Sequence, residues 1–556
     1  MNQPVAGPDE LLFLPLGGTG EVGMNVYLYG HADAWLMVDF GLTFADDRHP
    51  GVDLIMPDVS FIAAQKNRLQ GLVITHAHED HLGAVPYLWP RLGCPIYATP
   101  FACAVLRRKL LEFDMLADVP LVELPVGSQF TVAPFDLEFI TVTHSVPEAN
   151  ALLIRTSAGT VVHSGDWKLD HHPLIGAQFD QERMARLGDE QVLALVGDST
   201  NAMVPGHSGS ELDVRNSLME LMGTLNNRVA VTCFATNVAR VKSVVEVAKA
   251  HGRKCALVGR SMHNIVQAAR ETGYLHDLPP VVSEEEAAKL PRDKVVYLVT
   301  GSQGEARSAL ARISRNEHPQ IELERDDAVI FSSRVIPGNE KPIHAVQNQL
   351  MQLGVDVLTE GDHFVHVSGH ACQQELEQLY QWVRPRIAIP MHGEPRHLMA
   401  HARLAERCQV PQTLVPRDGQ CIRLAPNGAT VIAEVPVGRL ALDGETLVPV
   451  EHGPVRERRK LAFQGAAVLT LVLDGDGRFE GDPLLTVHGL LTEDDFGEEI
   501  AERVLDSVTA SVDKLKLRDR RNDAIVRETA RLAVRRTLHR FTGRKPMTEV
   551  HLVRLG

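Results

Sequence analysis

One stretch restricts this chain more than any other: Ile74-Thr75-His76-Ala77-His78-Glu79-Asp80-His81. An apolar run, 71–75, reads as a strand that feeds straight into His-x-His-x-Asp-His. Imidazole and carboxylate bind zinc at about 2.0–2.2 Å. His76 and His78 are two residues apart, so on an extended tail they point to one side. Asp80 and His81 follow where a helix starts at 82–84. Two ligand pairs in so short a span can address two adjacent metals. A histidine-rich surface loop or chance is the alternative, and a strand followed by four potential ligands at this spacing weighs against it.

A chain of 556 residues is too long for one core and suggests three or four domains. Short β-runs punctuated by glycine, with helices near 82–89 and 101–112, predict layered α/β structure over residues 1–207. Residues 208–359 read as an inserted domain with a parallel sheet: strands at 229–232, 255–258, 295–299 and 328–331, and a helix at 237–250. Short strands return at 364–367, 387–390 and 412–415, within 360–435. Residues 436–460 read as a linker. Residues 461–556 read as a small α+β domain: a strand at 465–472, helices at 494–515 and 523–541, and a strand at 550–555. The longest apolar run, 466–473, is too short to span a bilayer, and the N-terminus lacks a signal-peptide pattern. A cytoplasmic protein without membrane contact is expected. The 71 acidic against 56 basic residues (net −15) argue against wholesale coating of nucleic acid. They leave room for a local basic groove, since screening confines each patch to about 10 Å. Seven cysteines without a Cys-x-x-Cys pair predict free thiols.

The histidine motif resembles the metallo-β-lactamase superfamily, and the resemblance implies further ligands at later strand ends, which His144 (Val-Thr-His-Ser) and Asp166 (His-Ser-Gly-Asp) fit; either alone is an ordinary polar terminus, and in series with the first motif they become candidate ligands. That resemblance implies an αββα sandwich, with His76, His78, His144 and Asp166 around one ion. Asp80, His81, Asp166 and His392 would surround the other. The insertion before His392 resembles the β-CASP group, which acts on nucleic acid. Its acidic motif matches Asp198 in Gly-Asp-Ser-Thr-Asn, and its histidines match His370 in His-Val-Ser-Gly-His and His392 in Pro-Met-His-Gly-Glu. Four further blocks, 232–237, 259–262, 301–305 and 333–340, are similar to the bacterial ribonuclease J family. The expected fold class is therefore α/β: a metallo-β-lactamase sandwich, an inserted β-CASP domain and a small C-terminal α+β domain.

The resemblance implies a two-metal phosphodiesterase using zinc or manganese, with Asp80, Asp198 and His370 catalytic. It would cut RNA 5′→3′ from 5′-monophosphate ends and also internally, in mRNA decay and rRNA maturation. Bound metal lowers water's pKa towards about 7. His370 either protonates the leaving oxygen or grips the phosphate, and Asp198 orients it. His366, Val367, Ser368, Gly369 and His370 would bind substrate phosphate, helped by a helix N-terminus at 371–383; an ordinary serine N-cap is the plainer reading. Homodimers or tetramers and RNA-degradation partners are also implied. Gly51, Asp53 and Asp443 are candidates for an accessory calcium or manganese ion, against plain turn and cap roles. Arg240, Lys242, Arg253, Lys254, Arg260, Arg307, Arg312 and Arg315 could together track an RNA backbone. Phe44 is either a base-stacking platform or a core residue. Residues 514–545 hold twelve Lys/Arg against three acids, an RNA face, a subunit interface or a solvated helix surface. A DNA nuclease of the same fold, a non-catalytic RNA-binding subunit and a small-molecule hydrolase are the competing readings.

Overall fold

The computed structural model describes residues 4–46, 48–336, 338–493 and 499–555. Pro337 of the 333–340 block and residues 494–498, the predicted start of the helix at 494–515, lie outside them. The chain divides into two compact units: 1–44 with 55–438, and 45–54 with 439–556.

The larger unit holds two sheets packed face to face. The eight-stranded sheet runs, in spatial order, Thr430–Glu434, Gln420–Ala425, Leu11–Gly17, Val26–His31, Ala34–Val38, Leu69–Val73, Ile96–Ala98, Leu121–Glu123. The seven-stranded sheet runs Gln412–Thr413, Ile387–Met391, Ala194–Asp198, Gly159–His163, Asn150–Thr156, Phe135–Thr141, Gln129–Val132. Phe13, Tyr29, Val38, Phe139, Ile154, Val196 and Ile389 fill the space between them. Leu11–Gly17 is buried at every position because both faces of its sheet are covered. Trp167, Met184, Leu376 and Leu404 pack helices on the outside of the second sheet.

Parallel pairing positions the site. Ala34–Val38 runs parallel to Leu69–Val73. Gly159–His163, Ala194–Asp198 and Ile387–Met391 are mutually parallel. Their C-terminal ends therefore gather Asp39, residues 74–81, Asp166, Asp198 and His392 at one edge of the sandwich.

Between them in sequence lies a five-stranded, all-parallel sheet: Lys254–Val258, Val295–Val299, Val229–Thr232, Ala328–Phe331, Asp356–Leu358. Its central strands are continuous Val/Ile/Leu runs, buried on both faces by helices. Residues 364–367 are not a strand. Their apolar alternation suggested one, but the carbonyl of Val365 is taken by the side chains of Arg240 and Ser332, not by a neighbouring strand.

In the smaller unit, Ala466–Leu473 pairs with Leu484–His488 and Met547–Arg554. Its burial alternates, and Ala467, Leu469, Leu471 and Leu473 pack on helices Ile500–Asp513 and Asp523–Thr542. The expected linker is instead ordered: strands Arg439–Asp443 and Thr446–Pro449 form a hairpin, followed by helix Pro454–Gln464. Leu440, Ala441, Val450 and Val455 are buried and hold these elements, whereas the charged run at 456–460 masked them in the sequence. All seven thiols are free. Among the described residues no helix is long and apolar enough to cross a membrane.

Candidate metal centre

Three imidazole nitrogens converge at the strand ends. His78 Nδ1 lies 3.0 Å from both His76 Nε2 and His144 Nε2. Asp166 Oδ2 is 3.8 Å from His76 Nε2 and from His144 Nε2. Ligands on a tetrahedral ion with bonds of 2.0–2.1 Å are about 3.3 Å apart, so this set has the right spacing. Burial, reinforced by neighbouring imidazoles, pushes His76 and His144 well below the usual histidine range, and burial takes His78 to about 4. All three rings are therefore neutral and present lone pairs to one point.

A second set shares Asp166. His81 Nε2 is 3.1 Å from Asp166 Oδ2 and 3.5 Å from Asp80 Oδ2. His392 lies 2.8 Å from Asp166 Oδ1 through Nδ1 and 3.3 Å from Asp80 Oδ2 through Nε2. Burial alone would lower both histidines, but the carboxylates overcome it: His81 is held well above its ordinary range and His392 is raised to about 10. Four acids (Asp39, Asp80, Asp166 and Asp198) thus create a site that demands positive charge. Neutral imidazoles on one side and a carboxylate excess on the other are what divalent cations need. The seven residues expected to ligate metal fall into these two groups.

The unused ring nitrogens are fixed by partners, which sets each ring's orientation. His81 Nδ1 donates to Asp39 Oδ2 at 2.7 Å, and Asp39 also accepts from the Thr75 amide and hydroxyl. His76 Nδ1 meets Thr75 Oγ1 at 3.0 Å. Asn25 donates from Nδ2 to the carbonyl of Asp80 and lies 3.2 Å from its carboxylate, while the Tyr27 hydroxyl donates to Asn25 Oδ1. Asp39 and Asn25 were not anticipated from the sequence. Asp39 had a signal: it ends an apolar strand, as Asp166 does. His392 and Asp39 both have positive φ, +50° and +62°, an uncommon conformation for such residues that the packed strand ends enforce.

Asp198 and His370 form a third group with Asp166 and His392. His370 Nδ1 donates to Asp198 Oδ2 at 2.8 Å, the orienting contact expected of Asp198. Burial opposes charge on His370, but Asp198 and Asp166 raise its pKa above the ordinary value. Asn201, also unanticipated, donates to Ser368 Oγ (2.7 Å) and to the carbonyl of His370 (3.0 Å). Gly369 also buttresses a candidate ligand. Its carbonyl accepts from His144 Nδ1 at 2.5 Å, and a Cβ there would lie 2.6 Å from His144 Cε1. Gly369→Ala must displace that ring. Metal affinity or activity is expected to fall about 10–100-fold, read by metal titration; normal binding and full activity in this variant would refute the arrangement. The Val367 side chain is core.

The helix expected to offer its N-terminus to phosphate begins farther on, at Gln373, with Cys372 as N-cap. Its N-terminus is already occupied: Glu375 accepts from the amides of Cys372, Ser208 and Leu169. Ser368 and His366 therefore lie in a loop, apart from that helix.

Several other expected groupings do not assemble. Asp443 receives two 2.8 Å hydrogen bonds from Arg458, and Arg458 also packs beside Gly51. A guanidinium therefore occupies the Asp443 carboxylate, where the accessory cation was expected. Arg240 is fully buried against Glu211, Arg253 donates to backbone carbonyls, and Lys242 pairs with Asp277, so these three do not present a free basic face. Arg260, Arg307 and Arg312 do line a cleft of about 650 Å³, together with Arg108, Lys109 and Glu79. This cleft lies between helix Pro100–Glu112 of the sandwich and helix Arg260–Glu271 of the inserted domain. Phe44 is 60 % exposed and is not a core residue. In 514–545, Arg518, Arg520, Arg521 and Arg531 are already paired with acids.

Fold and centre together define a metallo-hydrolase with an inserted α/β domain. Family models match in four segments. They are a metallo-beta-lactamase superfamily domain (residues 19–207), a ribonuclease J beta-CASP domain (226–350), a Zn-dependent metallo-hydrolase RNA specificity domain (354–411) and a ribonuclease J C-terminal domain (453–555). A ribonuclease J of Sinorhizobium meliloti is 44 % identical over 558 residues, covering 100 % of this chain and 99 % of the relative. One from Thermus thermophilus is 36 % identical, covering 97 % and 95 %. A crystal structure of a protein of unknown function from Enterococcus faecalis superposes with a TM-score of 0.52 at 16 % identity, over 74 % of this chain and all of that one, a likeness of fold alone. The chain belongs to the ribonuclease J family: it is a metal-dependent ribonuclease.

Proposed function

We propose that this chain degrades single-stranded RNA 5′→3′ from 5′-monophosphorylated ends and also cuts internally, using two divalent ions, zinc or manganese. The observation that carries this reading is the loop 366–370, which runs into the candidate metal centre. Its last residue, His370, bonds Asp198 and lies 3.8 Å from Asp166. Ser368 is only two residues away, at most about 7 Å of extended chain. A terminal phosphate held at Ser368 thus leaves room for one nucleotide before the centre. Ser368 Oγ accepts from Asn201 and from the His370 amide, which leaves its own proton for an anion. His366 Nδ1 is buried without a partner.

Divalent metal, when bound, supplies Lewis-acid charge to the phosphoryl oxygens and lowers the pKa of water. The chain's own residues do the rest. His76, His78, His144 and Asp166 hold one ion; Asp80, His81, Asp166 and His392 hold the other. His370, oriented by its hydrogen bond to Asp198, can give the departing 3′ oxygen a proton or grip the scissile phosphate. The 650 Å³ cleft lined by Arg260, Arg307 and Arg312 accommodates the trailing strand, with Phe44 exposed as a stacking surface. An open groove of this kind also admits internal cutting. Cellular roles in mRNA decay and rRNA maturation, a cytoplasmic location, a homodimer or tetramer, and RNA-degradation partners are part of the same proposal.

The test is one RNA carrying either a 5′-monophosphate or a 5′-triphosphate, labelled at both ends, digested with zinc, manganese or magnesium. Early mononucleotides from the monophosphate form are expected, and Asp80→Ala should abolish them. Equal internal cutting of both forms would remove the 5′-end preference. Activity on DNA alone would overturn the RNA reading.

A further inference from the structure

We propose that Arg334 supplies the charge by which the terminal-phosphate pocket distinguishes a 5′-monophosphate from a 5′-hydroxyl end. The proposal rests on the reading that loop 366–370 receives the 5′ end.

Arg334 lies just past strand Ala328–Phe331 of the inserted sheet, at its C-terminal edge, where open parallel sheets bind their ligands. Its backbone is fixed. Buried Gln303 donates from Nε2 to the carbonyl of Arg334 (2.8 Å) and accepts from the Ile336 amide (3.0 Å). From this anchor the side chain reaches the phosphate loop. Nη1 lies 3.4 Å from Asn201 Oδ1, and Asn201 is the residue that bonds Ser368 and His370. Arg334 thus acts on the same loop from the opposite domain.

After burial, Arg240, Arg334 and Lys168 each lower the pKa of His366. Two are already neutralised in the interior. Arg240 is bound by Glu211, and Lys168 by Asp170 at 3.2 Å. Arg334 is exposed and, among the described residues, has no carboxylate within ion-pair distance. Its one polar side-chain contact is long, so it can be exchanged for a better acceptor. Beside it stand a buried imidazole nitrogen without a partner and a serine hydroxyl with its proton uncommitted. A dianionic phosphate answers all three needs. A planar guanidinium also binds phosphate in two-pronged fashion, which an ammonium cannot do.

The experiment uses the full-length, metal-loaded protein and two RNAs that differ only in a 5′-monophosphate or 5′-hydroxyl end. The readout is the preference KM(5′-hydroxyl)/KM(5′-monophosphate). Arg334→Ala is expected to reduce this preference about tenfold, the scale of one charge-assisted hydrogen bond, with the change in KM and not in kcat. Arg334→Lys should fall between, because it keeps the charge and loses the fork. Inhibition by uridine 5′-monophosphate should weaken by the same factor as the preference. Ser368→Ala serves as the control for the pocket itself. If the wild type shows no preference, the phosphate-loop reading fails and the role of Arg334 fails with it. If Ser368→Ala erases a preference that Arg334→Ala leaves intact, the pocket stands and the proposal for Arg334 is overturned. An equal rise in KM for both RNAs overturns it as well, since that marks general backbone attraction.

Discussion

Asp166→Asn should leave the chain folded but unable to keep its metal, and RNA hydrolysis should fall by about 10³-fold or more. Asp166 is the residue common to all three ligand groups. One oxygen lies near His76, His144 and His81, and the other near His392. Burial alone would favour the neutral acid, but His392, His81 and His370 hold the carboxyl well below the usual range. Asparagine preserves the shape and removes the charge. The two ligand sets then lose their shared anion, and His81 and His392 lose a carboxylate that supports their positive charge. Metal content by mass spectrometry and initial rates on labelled RNA give the answer. Retention of the wild-type metal complement with activity within tenfold of wild type would show that Asp166 does not join the sets.

The first cluster residues were legible because a strand followed by His-x-His-x-Asp-His is written in one stretch, whereas His144, Asp166 and His392, far apart in the chain, came from the resemblance to a family. The residues that orient them were not, since orientation is a property of packing. Asp39 comes from a neighbouring parallel strand and Asn25 from the chain before it, and neither lies in a motif with the residue it holds. Charge was the poorest guide. Arg240 and Arg260 look alike in sequence, yet one is buried against Glu211 and the other lines an open cleft. Residues 364–367 show why apolar alternation is insufficient: a strand needs a neighbouring backbone, and these residues have side chains for partners. The sandwich and the inserted parallel sheet were readable from strand length and burial, whereas the ordered segment after residue 438 was hidden by its charge.

Glu211→Ala is expected to cost about 3–5 kcal/mol in the larger unit, because it leaves the Arg240 guanidinium buried with no counter-charge. Arg240 is wholly inside the protein; its Nε and Nη2 contact both Glu211 oxygens at 3.0–3.1 Å. Its Nη1 donates to the carbonyls of Ser332 (2.8 Å) and Val365 (2.9 Å). A large chain of this kind does not unfold in one step, so the measurement is hydrogen exchange in Ala328–Phe331, whose protection should drop by a matching free energy. The double replacement Glu211→Leu with Arg240→Met separates stability from geometry. Apolar groups of similar volume often replace a buried ion pair at little cost, so protection should recover by more than half. The donor to Val365, however, stays lost. Val365 immediately precedes His366, so the start of the phosphate loop loses one of its two side-chain anchors, and only Ser332 Oγ remains. The double variant should therefore be nearly as stable as wild type and still lose preference for a 5′-monophosphate. Recovery of both properties would mean that the buried pair contributes stability alone and does not set the loop.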